Sequence, residues 1–141
     1  MAGKKKILIV EDHSDIRRLM AFFLERTGYD VIEAETGLAA IERANATHPD
    51  LIMMDLGLPD ITGDEATARL KLDPSTKHIP VIVITAYYGN APLVESAFAA
   101  GACEVLSKPV ALRTLEDTLR RLLMTTPIEK SLNQDFRVTC D

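Results

Sequence analysis

Cysteine is scarce in this chain of 141 residues, and long apolar stretches are absent. Its two cysteines, Cys103 and Cys140, are far apart and form no CxxC or other metal-binding spacing. Two thiols in a chain this size point to a reducing, cytoplasmic setting. No run approaches the roughly 20 apolar residues that cross a bilayer, so no membrane segment is expected. The basic run Lys4-Lys5-Lys6 is followed by only four apolar residues before Glu11-Asp12, and is not expected to be a signal peptide. Basic residues are outnumbered, 16 Lys and Arg against 21 Asp and Glu. A net charge of −5 and a pI near 5.2 argue against a nucleic-acid surface. Neither GxGxxG nor a GxxxxGK loop occurs, which argues against a dinucleotide or nucleoside-triphosphate site. Internal repeats and low-complexity segments are lacking too.

What remains is the composition of an ordinary globular domain, 47% hydrophobic and 26% charged, with length enough for one core. The chain is organised around Pro49 to Gly63, PDLIMMDLGLPDITG. There an apolar run from Leu51 to Met54 ends abruptly on Asp55 between two sets of turn formers, which predicts a strand buried on both faces. An isolated buried charge is costly, so Asp55 must be hydrated, paired or metal-bound. Taken alone, an Asp after a strand most often only caps the next turn.

Lys6 to Val10 is a second such run, ended by Glu11 and Asp12. Ser14 reads as a helix N-cap, and Ile16, Leu19, Met20, Phe23 and Leu24 recur at helical spacing until Gly28. Tyr29 to Ala34 alternates and carries charge, as an edge strand does. Thr36-Gly37 opens a second helix facing inward through Ala40, Ile41 and Ala44, and a third runs from about Asp64 to Lys71. Ile79 to Ile84 is an apolar strand ending on Thr85. A loop with Tyr87 and Tyr88 then leads to a helix from about Pro92 to Ala100, closed by Gly101. Val105-Leu106 is a short last strand before Ser107, Lys108 and Pro109, and Leu112, Leu115, Leu119 and Leu122 stripe a terminal helix. Gly37, Gly63 and Gly101 read as turn and cap glycines. Alternating strands and helices predict an α/β fold: a doubly wound five-stranded parallel sheet, flavodoxin-like order 2-1-3-4-5, with helices on both faces.

In that order strands one, three, four and five are neighbours, and their C-terminal tips carry Glu11-Asp12, Asp55, Thr85 and Lys108. The coincidence of all four ends outweighs the bland reading of any one. Converging carboxylates raise one another's pKa unless a cation sits among them. Oxygen ligands with open positions suit Mg2+ best. Lys108 adds a positive charge and Thr85 a hydroxyl, both suited to the equatorial oxygens of a phosphoryl group in transfer. Asp55 is then the nucleophile. His13 could ligate metal, but the preference of hard cations for oxygen favours a solvated loop histidine. His48 and His78 read as surface residues.

The acidic pair after strand one, DLGLPDITG around Asp55, ITA at Thr85 and LSKP at Lys108 resemble the receiver domain of two-component response regulators over residues 4–125. The resemblance implies that Asp55 is the phosphoacceptor and that Thr85 and Lys108 bind phosphoryl oxygens. It implies Mg2+ held by Asp55, by Asp12 directly, by Glu11 through water and by the Gly57 carbonyl, and a cis Lys108-Pro109 bond. A stand-alone cytoplasmic switch is expected, taking its phosphoryl group from a histidine kinase or histidine phosphotransfer protein and losing it slowly by its own catalysis. An output protein is expected on the Pro92–Ala100 helix, strand five and the last helix. Residues 126–141 are expected to be a flexible tail, too short for a DNA-binding domain. Two departures stand out. Val105 replaces the usual aromatic of strand five, leaving Tyr88 or Phe98 to substitute. Gly57 and Tyr87 occupy positions that tune phosphoryl lifetime in relatives. The alternatives are a phosphorylation-independent docking module, a receiver fragment of a longer regulator, and a flavodoxin-like FMN binder, the last weakened by acids where a phosphate-cradling loop should stand.

Overall fold

The computed structural model describes residues 3–124. The apolar runs bounded by turn formers become strands β1 (Lys6–Val10), β3 (Leu51–Asp55) and β4 (Val81–Thr85). Every residue of β3 and β4 is buried, as only a strand covered on both faces can be. The charge-bearing strands β2 (Asp30–Ala34) and β5 (Glu104–Ser107) stand at the two edges. Helices α1 (Ser14–Thr27), α2 (Gly37–Thr47), α3 (Gly63–Leu72), α4 (Ala91–Ala100) and α5 (Leu112–Met124) fill the connections. All strand pairs are parallel, in the order β2-β1-β3-β4-β5.

Strand alternation splits the core into two layers. Leu8, Val10, Ile52, Met54 and Val83 pack with Ala40, Ala44, Ala66, Leu70 and Ala97 of α2, α3 and α4. Ile7, Ile9, Leu51, Met53 and Ile82 pack with Leu24 of α1 and Leu115 and Leu119 of α5. The small residues of α2 and α3 bring those helices close to the sheet. Register then levels the strand ends: Val10 pairs with Met54, Asp55 with Ile84, and Thr85 with Ser107. Glu11, Asp55, Thr85 and Lys108 thus fall within about one residue of a common level.

Helix ends follow local chemistry. The Thr36, Thr62 and Asn90 side chains accept the Ala39, Glu65 and Leu93 N–H groups as N-caps. Gly28 and Gly101 close α1 and α4 in the left-handed region. Gly63 is placed by proximity instead. A Cβ there would stand 2.1 Å from the Asp55 carbonyl oxygen, so the start of α3 lies directly against the end of β3.

The structure corrects several expectations. Ser14 is the first residue of α1, and the N-cap is His13, which makes no side-chain cap bond. The Glu11 carboxylate accepts the His13 N–H and holds that residue extended, delaying the helix by one position. Ile16, Leu19 and Leu112 are exposed rather than packed, Leu19 at 71%. They line a groove of about 910 Å3 between α1 and the segment from Lys108 to Leu112. Cys103 is buried. Among the described residues no helix is long and apolar enough to cross a membrane. The expected tail, residues 126–141, lies outside the described residues.

Candidate functional site

Asp55 closes β3 with 8% of its surface exposed, and Glu11, one residue past β1, is 5% exposed. Lys108 stands between them. Its Nζ donates to Glu11 Oε1 at 2.8 Å and lies 3.1 Å from Asp55 Oδ1. The backbone at Lys108 is tied to β4, because its N–H donates to the Thr85 carbonyl at 2.8 Å. The Lys108–Pro109 peptide is cis. Thr85 is fully buried, and its Oγ1 accepts the Tyr87 N–H at 2.9 Å. Asp12 is more open, with its Oδ1 3.3 Å from His13 Nδ1.

Charge sets the protonation of the site. Burial pushes the Asp55 carboxyl up, and the Glu11 charge adds to this against the opposing pull of Lys108. Burial works on Glu11 in the same direction, but hydrogen bonds from Lys108 and His13 outweigh it and hold the carboxyl at about 2. Burial disfavours the Lys108 ammonium, yet Glu11 and Asp55 raise its pKa overall. His13 is exposed, as the sequence suggests, but it is not an unattached loop histidine. Its Nδ1 lies 2.9 Å from Glu11 Oε2, and the two acids raise its pKa.

A hard cation fits this donor set. Glu11, Asp12 and His13 each offer a ligand atom within 4.8 Å of the others. Asp55 lies outside that group of three, and its carboxylate, raised chiefly by burial and then by the Glu11 charge, faces Lys108 Nζ at 3.1 Å. Oxygen-rich sites open to water suit Mg2+. Gly57 is exposed on the loop after Asp55, and nothing lies within 4 Å of the place its Cβ would occupy. That loop is fixed by Asp60, whose carboxylate accepts the Gly37 and Leu38 N–H groups at 2.8 Å each. Desolvation counts against the Asp60 charge, but these backbone donors, with that of Ile61, hold its pKa at about 2.

Sequence reasoning missed Asp60, Arg17 and Glu33. Arg17 Nη1 donates to the Glu11 carbonyl at 2.8 Å and its Nε donates to Glu33 Oε1 at 2.9 Å. The signal was a basic residue three to seven positions before Met20, Ala21 and Leu24, on the inward stripe of α1. Asp60 gave no signal, since its partners lie 22 and 23 residues away. Val105 is buried in the layer against which Val94 and Phe98 pack, whereas Tyr88 is 51% exposed.

A sequence model of the response regulator receiver domain matches residues 7–120. The chain is 38% identical over 120 residues to the polar-differentiation response regulator DivK of Brucella ovis, covering 84% of this chain and 96% of that one. The chemotaxis protein CheY4 of Vibrio cholerae is similar in structure, with a TM-score of 0.79 at 29% identity over 84% of this chain and 98% of that one. The receiver domain of sensor histidine kinase PA1611 from Pseudomonas aeruginosa has a TM-score of 0.80 at 29% identity, covering 88% and 100%. That structure holds a magnesium ion coordinated in its active-site cleft.

Proposed function

The chain belongs to the response regulator receiver family, and from that premise we propose that it is a phosphorylation-dependent switch whose acceptor is Asp55. The observation that carries the reading is Lys108 Nζ set between Glu11 and the buried Asp55, at 2.8 and 3.1 Å. The receiver unit spans residues 4–125. The donor is a phosphorylated histidine on a kinase or phosphotransfer protein. An Asp55 carboxylate oxygen attacks phosphorus, the phosphorus–nitrogen bond to the imidazole breaks, and the electron pair returns to the ring. Lys108 and the Thr85 hydroxyl hold the equatorial oxygens as charge spreads over them. Asp12, Asp55 and the Gly57 carbonyl would hold Mg2+ directly and Glu11 through water, and the ion would supply positive charge to the site. Loss of the phosphoryl group is slow and self-catalysed. The protein acts in the cytoplasm and touches neither nucleic acid nor membrane. Its output partner is met on α4, β5 and α5.

Val105 favours a second reading. Buried and small, it cannot swing between core and surface as a ring can, which suits a docking module indifferent to phosphorylation. Phosphotransfer from radiolabelled histidine donors of the source organism separates the two. Rapid labelling by at least one donor in Mg2+, abolished by a chelator, is the result expected of a switch. Silence with every donor favours docking.

A further inference from the structure

We propose that Arg17 is a positioning residue for the metal-binding acids, fixing the peptide between Glu11 and Asp12 while Glu33 holds its guanidinium in place. The inference rests on reading Glu11 and Asp12 as Mg2+ ligands. A charged side chain on the inner face of α1, only 11% exposed, is costly unless its donors are engaged. Two are. Nη1 donates to the Glu11 carbonyl, and Nε donates to Glu33 on β2.

The backbone around Glu11 shows what this achieves. Its N–H donates to the Ala34 carbonyl at 3.1 Å, extending the β1–β2 ladder one step past Val10. Its carbonyl belongs to the next peptide, the one that leads into Asp12, and Arg17 takes that carbonyl. The sheet therefore fixes one side of Glu11 and Arg17 the other. Glu33, level with Ile9 in the β1–β2 register, anchors the guanidinium to the same sheet edge. A planar guanidinium carries its donors in a rigid fork, so fixing Nε also aims Nη1. Arg17 acts by geometry rather than by charge on the carboxylates: it reaches the Glu11 main chain, while the Glu11 carboxylate oxygens meet Lys108 and His13.

The test is Mg2+ affinity by titration calorimetry on the full chain, for wild type, Arg17→Met, Arg17→Lys and Glu33→Gln. Melting in chelator and backbone amide shifts of the Mg2+-free protein accompany it. Arg17→Met is expected to weaken Mg2+ binding about tenfold, the scale for losing a group that orients a ligand. Arg17→Lys is expected to come close to this, since an ammonium lacks the fork. Glu33→Gln, whose amide oxygen still accepts, is expected to lose less. In each variant the Asp12 and His13 amides shift without metal, Arg17→Met melts lower in chelator because Glu33 and the Glu11 carbonyl lose their donor, and Glu33→Gln melts near wild type. Unchanged Mg2+ affinity in both Arg17 variants overturns the proposal, and so does weakening that merely tracks lost stability. Should Arg17→Met fail to fold, Arg17→Lys and Glu33→Gln decide. If wild type itself binds no Mg2+, the metal reading fails, and the metal-free shifts of Arg17→Lys still report whether Arg17 holds the Asp12 peptide.

Discussion

The Thr85 hydroxyl accepts the backbone N–H of Tyr87 at 2.9 Å. A hydroxyl drawn toward a phosphoryl group on Asp55 must alter or break this bond, so the loop after β4 feels the event first. With Val105 too small to report it, we expect the Tyr87-Tyr88 loop to move and reshape α4. Beryllofluoride, a phosphoryl mimic, should shift the amides of Tyr87, Tyr88 and α4 in wild type. In Thr85→Val the mimic should leave α4 unmoved. Wild-type changes confined to the Asp55 pocket would favour the docking module.

Gly57 has open space where a side chain would stand. Gly57→Gln should therefore fold normally, within about 0.5 kcal/mol of wild type. A carboxamide there can position an attacking water, which glycine cannot. The phosphoryl half-life, followed by decay of label after donor removal, should shorten several-fold. An unchanged half-life removes this position from control of the rate.

Gly63 is the opposite case. A methyl group at 2.1 Å from the Asp55 carbonyl oxygen forces the backbone of α3 or β3 to shift. Overpacking of this kind costs about 1–3 kcal/mol or more. Gly63→Ala should melt several degrees below wild type and accept phosphoryl groups more slowly. Normal melting with normal labelling would show that the two elements part easily.

In metal-free solution the two buried acids should act on stability with opposite signs. The Glu11 carboxyl is depressed from 4.5 to about 2. Its stabilising contribution is complete above pH 4.5 and is lost as the pH falls toward 2. The Asp55 carboxyl is raised above 3.8. Its charge therefore costs stability at neutral pH, and protonation relieves the cost as the pH falls through the folded value. Asp55→Asn should be more stable than wild type at pH 7, with a gap that narrows toward pH 4. Melting curves across that range check the sign. A gap that widens on acidification contradicts it.

Strand order and the four strand tips were legible in the sequence because buried parallel strands are continuous apolar runs, and each ends on a chemically distinct residue. Glu11, Asp55, Thr85 and Lys108 are brought together as that order requires. Less legible were the outer residues of the helices. Ile16 and Leu19 fit the stripe of α1, but periodicity cannot tell which part of a stripe a neighbouring element covers, and both line the groove beside Lys108 and Pro109. Nor could it show that Gly63 answers to a close approach rather than a turn, or that Asp60 reaches back to α2. These depend on pairs of distant residues, and one chain's periodicity carries no such pairing.

The central claim is that Asp55 accepts the phosphoryl group. The protein should be treated with phosphoramidate and Mg2+, reduced with borohydride to trap the acyl phosphate as homoserine, digested and sequenced by mass spectrometry. The account predicts modification at Asp55, dependent on Mg2+ and absent from Asp55→Asn. Labelling that persists undiminished in Asp55→Asn, or that maps to another residue in wild type, would contradict it.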